Sequence, residues 1–63
     1  MRIIPFDKIV NEYFISRNTQ LIVKVISIDG DIIEATDGYH FKSTFPLEFQ
    51  IYDDQYPEVF RFE

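Results

Sequence analysis

The chain has 63 residues, no cysteine, one histidine and a net charge of −5. A domain this short hides roughly 60% of the surface its unfolded chain exposes; without thiols or several imidazoles it lacks a disulfide framework or zinc cage, which leaves association with itself or a partner as the remaining support. Apolar residues at 46% and aromatics at 17% exclude a disordered segment, while no apolar run nears the ~18 residues of a bilayer span and no signal-like leader opens the chain, so a cytoplasmic protein without membrane contact is expected.

The charge is uneven: residues 1–28 sum to +2 and residues 29–63 to −7. Nucleic-acid binding draws on Lys and Arg to neutralise phosphates, so direct binding of DNA or RNA is disfavoured and a partner with a basic surface is expected.

In chain order, Phe6, Ile9, Val10, Tyr13 and Phe14 fall at i, i+3, i+4, i+7 and i+8, one stripe of an amphipathic helix spanning residues 5–17. Pro5 suits its first turn, Asp7 meets the positive end of the dipole and Asn18 can close it. Against the helix, Ile9, Val10 and Ile15 are β-branched and no good cap precedes Pro5, so Glu12 to Arg17 reads alternatively as a strand.

Strands are expected at about 20–27, 31–35, 39–44, 46–52 and 58–62, the first three joined by Asp29-Gly30 and Asp37-Gly38 turns. Two-residue turns at these dipeptides would set Glu34 opposite Val25 and Phe41, a costly placement. Three-residue loops with a G1 bulge instead pair Ser27 with Asp31 and Ala35 with Tyr39. Leu21, Val23, Val25, Ile33, Ala35, Tyr39 and Phe41 then share a core face. Lys24, Glu34 and His40 line the other, with Lys24 opposite Glu34, together with Ile22, Ile26 and Ile32. Alternation of Leu47, Phe49 and Ile51 marks the fourth strand, Asp53 to Pro57 a turn, and Phe60 and Phe62 the fifth. The expected fold is α+β or mostly β: an N-terminal helix with a four- to five-stranded antiparallel meander, either a flat sheet or a small SH3-like or OB-like partial barrel. A single small domain over 1–63 is expected.

No catalytic constellation is legible. His40 beside Glu34 lacks a nucleophile and reads as a cross-strand pair. Asp29, Asp31 and Asp37 match no cation loop, and turn chemistry explains them. No cofactor or metal is expected. Tyr39, Phe41, Phe45 and Tyr52 would stack bases only beside a basic groove, which the strands do not supply. The acids could imitate phosphates along a duplex, making a nucleic-acid mimic that blocks a basic protein the first alternative and a single-strand-binding barrel the second. The leading expectation is a non-enzymatic interaction domain, a regulator or inhibitor, acting as a homodimer or as a subunit docked on something larger. Its contact set is Ile22, Ile26, Ile32, Phe49, Tyr56 and Phe60, rimmed by Asp53, Asp54 and Glu58, because apolar and aromatic side chains beyond the core's capacity mark contacts and the acids steer a basic partner.

Overall fold

A computed structural model describes residues 1–63. The chain is mostly β: β1 (Arg2–Ile4), β2 (Tyr13–Ser16), β3 (Ile22–Asp29), β4 (Ile32–Ala35), β5 (Gly38–Phe41), a one-turn helix α1 (Phe45–Glu48), β6 (Phe49–Asp53), β7 (Tyr56–Glu58) and β8 (Phe60–Phe62). Six strands form one antiparallel sheet in the order β5-β4-β3-β2-β6-β7, curled into a half-barrel, while β1 and β8 form a separate parallel pair.

The N-terminal helix expected over 5–17 does not form. Phe6–Lys8 make a single 3-10 turn after an uncapped Pro5, and Asn11 adopts a φ of 72° that ends any helical run. Long-range bonds replace helical ones: Asn11 N–H donates to the Val25 carbonyl at 2.8 Å and Val25 N–H to the Glu12 carbonyl at 3.1 Å. The β-branched residues of this segment have stiff side chains that a helix restricts further, and β2 takes the alternative, strand reading between β3 and β6. Of the stripe, Ile9 and Phe14 are buried, whereas Val10 and Tyr13 are exposed.

The hairpins depart from both registers considered above. Asp29 pairs with Ile32, so Gly30, at a φ of 59°, occupies the first central position of a two-residue turn. Ala35 pairs with Gly38, so the second turn is Thr36-Asp37. Between Val25 and Ser27 the register shifts and Ile26 is left unmatched, a bulge. Such an extra residue bends a strand and sharpens its twist; β3 thereby gives its first half to β2 and its second to β4.

The register change in β5 inverts its faces, since one step along a strand moves every side chain across the sheet. His40, opposite Ile33, turns inward, while Tyr39 and Phe41 are 73% and 61% exposed. Leu21, also expected in the core, lies exposed ahead of β3. Lys24 faces Tyr13 rather than Glu34, and Glu34 accepts from the Ser27 hydroxyl at 3.0 Å.

Ten residues form one apolar cluster under the curl, with Phe14, Phe45, Phe49 and Phe60 at its centre. Phe45 stacks on Phe49 at 4.6 Å and meets Phe14 edge-on at 4.9 Å, distances at which aromatic pairs add about 0.5–1.5 kcal/mol beyond burial. Pro46 near the start of α1 matches proline's tolerance in a first helical turn, so the strand expected at 46–52 begins only at Phe49. The expected 58–62 strand is two: β7 pairs with β6, and β8 pairs with β1, seating Phe60 on Phe14 at 5.2 Å.

Candidate functional site

On the convex side of β2, β3, β6 and β7 lies a second, smaller apolar surface. Alternation along β2 sends Phe14 inward and Tyr13 and Ile15 outward. Tyr13 stands opposite Lys24, Tyr52 follows the Ile51 that faces Phe14, and Pro57 stands opposite Tyr52. The outer row is therefore Lys24, Tyr13, Tyr52 and Pro57. Ile15 sits between Ile22 and Gln50 in the next row and is 8% exposed although it lies outside the core cluster.

A shallow slot opens in this surface, lined by Tyr13, Ile22, Tyr52, Asp54 and Gln55. Tyr13 and Ile22 remain half exposed. Asp54 and Gln55, at φ 50° and 67°, are the two central residues of the β6–β7 hairpin. Both values are left-handed, as a type I′ turn requires; aspartate is among the residues such turns favour, whereas Gln55 is strained there by about 1–2 kcal/mol. Strain of this kind concentrates at functional positions.

Two tyrosine rings, one aliphatic side chain and one carboxylate in the lining suit a cationic side chain. An aromatic face attracts an ammonium or guanidinium by about 0.5–2 kcal/mol, most when water is excluded. The chain already contains one such contact: the Lys24 Nζ lies 5.9 Å over the Tyr13 ring.

The nine residues expected at a contact separate into several places. Ile22 and Asp54 meet in the slot. Ile26 occupies the bulge and is 49% exposed. Ile32 belongs to the other half of the sheet, its partner Asp29 seven positions beyond Ile22 on β3, about 20 Å of strand. Phe49 and Phe60 are 4% and 2% exposed; they are core side chains rather than contact residues, Phe49 stacked on Phe45 and Phe60 packed on Phe14. Tyr56 is 76% exposed across the ladder from Asp53. Asp53 accepts from the Arg2 Nη1 at 2.7 Å, a bond that raises the guanidinium pKa above its ordinary value. Glu58 is exposed on the edge strand β7.

A helical stripe gives Tyr13 a place in the core, whereas the strand it occupies turns Phe14 inward and Tyr13 outward. A three-residue loop at Asp37-Gly38 likewise sends Tyr39 and Phe41 inward, and the observed register, one residue away, sends them out. His40 bonds Asp37 at 2.9 Å, not Glu34, and its ring packs edge-on against Phe49 at 4.9 Å. No three Asp, Glu or His side chains converge as a cation cage would need, and no helix is long and apolar enough to cross a membrane. Comparison of the chain with protein-family models, curated proteins and solved structures returned no match.

Proposed function

We propose that this chain is a small, acidic, non-enzymatic protein–protein interaction domain, a regulator or inhibitor that acts by binding a partner with a basic surface. Its scaffold is an SH3-like partial barrel. Supporting that reading are the strand order, the sharing of the bulged β3 between two half-sheets, and the single helical turn between β5 and β6.

The observation that carries the function is the slot lined by Tyr13, Ile22 and Tyr52 together with Asp54. The inner face of the sheet is filled by the chain's own Phe and Ile residues, so this outer apolar surface is surplus to folding. The partner presents an Arg or Lys whose aliphatic stem lies along the tyrosines and whose charge reaches Asp54. Exposed acids on the same hairpin, including Glu58, accelerate encounter with such a surface.

Ile22→Asp places a charge in the lining of the slot at a half-exposed position, so the domain stays folded. Sedimentation and capture experiments with the wild type define its partner, and the variant is expected to lose that association. A folded Ile22→Asp protein that binds as well as the wild type removes the slot from the function.

A further inference from the structure

We propose that the open edge of β5 is a strand-addition site for a basic, extended segment of another protein, separate from the slot on β2, β3 and β6. The sheet has two edges, β5 and β7. Pro57 sits in the middle of β7, where a missing N–H and a fixed φ discourage further pairing. Strand β5, Gly38-Tyr39-His40-Phe41, carries no proline and no lysine, the devices that usually protect an edge.

The backbone of β5 is oriented for addition. Lys42 N–H donates to the Asp31 carbonyl at 2.8 Å. In an antiparallel ladder bonded and non-bonded positions alternate, so His40 and Gly38 bond to β4 while Tyr39 and Phe41 occupy the non-bonded positions. Their N–H groups and the Tyr39 carbonyl therefore point to the open side. The Phe41 carbonyl already accepts from Thr44 N–H at 3.2 Å, which limits an incoming strand to a few residues. Tyr39 and Phe41 stand out from the sheet face and would flank alternate side chains of that strand.

Charge selects the occupant. Cross-strand rows run Ser27, Glu34, Tyr39 and Asp29, Ile32, Phe41, with Asp31 and Asp37 in the adjoining turns. The chain's lysine and arginine ion pair is Arg2–Asp53, and the His40 ring hydrogen-bonds Asp37, so Asp29, Asp31 and Glu34 have no cationic partner. The nearest lysine, Lys42, is engaged 4.6 Å over the Phe6 ring. A second copy of the chain would bring the same acids to the same edge and be repelled. An Arg- or Lys-bearing strand instead lays its stems along Tyr39 and Phe41 and brings its charges to Glu34 and Asp29.

The probe is an acetylated heptapeptide alternating Arg and Val, titrated into the 15N-labelled full chain at low salt, with the same peptide carrying Glu for Arg as control. The expected result is slowed exchange of the Tyr39 and Phe41 amides, binding weakened several-fold by raising salt, and none by the Glu peptide. Phe41→Pro removes the ring, as Phe41→Ala does, and in addition an outward N–H that the β4 ladder does not use; it is expected to weaken binding at least tenfold more than Phe41→Ala. Ile22→Asp is expected to leave the peptide's protection of the Tyr39 and Phe41 amides unchanged, which separates this site from the slot. The proposal is overturned if the Arg peptide does not bind, if it binds Phe41→Pro and Phe41→Ala alike, if the two amides stay unprotected at saturation, or if β5 instead mediates self-association that Phe41→Pro abolishes.

Discussion

Phe41→Ala tests the β5 register directly, because the two candidate registers assign this side chain opposite surroundings. A fully buried phenylalanine gains about 1.5–3 kcal/mol from leaving water. Phe41 is 61% exposed, so roughly two fifths of that, about 1 kcal/mol, is at stake. Were the strand slipped by one residue, Phe41 would be a core ring and its loss would cost about 3–5 kcal/mol, comparable with the whole stability of about 3–9 kcal/mol for a chain of this size. In urea, with a slope near 1 kcal/mol per M, the expected fall in midpoint is about 1 M. The chain contains no tryptophan, so unfolding is followed by far-UV circular dichroism or tyrosine emission. His40→Ala should cost at least as much as Phe41→Ala, since it removes the bond to Asp37 and edge contacts with Phe45 and Phe49. A Phe41→Ala protein that is largely unfolded in buffer beside a His40→Ala protein of wild-type stability would refute the inward-facing His40 and the face assignments built on it.

Phe45→Ala should be far more damaging: the ring is fully buried and stacked on Phe49, and its loss is expected to cost about 3–5 kcal/mol, enough to leave much of the chain unfolded at 25 °C; a urea midpoint within 1 M of wild type would count against the aromatic centre. Gln55→Gly relieves a residue held at a φ of 67°, and relief of about 1–2 kcal/mol less the entropy cost of glycine predicts a gain of about 0.5–1 kcal/mol. Calorimetry should show a melting temperature several degrees higher; a lower one would mean that the glutamine side chain contributes more than its backbone costs.

Much of the β architecture was legible in the residues themselves. Alternation around Val23, Val25, Ile33, Phe49 and Ile51 marks the strands that do form, and glycine at position 30 marks a hairpin because few other residues tolerate a positive φ. Of the three isoleucines expected on the second sheet face, Ile22 and Ile26 are half exposed and Ile32 is less so. The first seventeen residues were less legible. Phe6, Ile9 and Phe14 satisfy a helical period by coincidence: Phe6 lies partly buried in a 3-10 turn, Ile9 is buried just after it, a left-handed Asn11 follows, and Phe14 is buried in a strand.

What the chain determined by itself is local: which stretches favour extension, where glycine favours a turn and how much apolar side chain is present, all functions of residue type and near-neighbour spacing. The tertiary structure alone decided which surface is left over. An unmatched Ile26 in β3 and a one-residue difference at the Thr36-Asp37 turn bend the sheet and invert β5, sending His40 in and Tyr39 and Phe41 out. These choices depend on packing between strands far apart in sequence, where Phe45, Phe49 and Phe60 compete for the same interior, and no pattern within a single strand encodes the outcome.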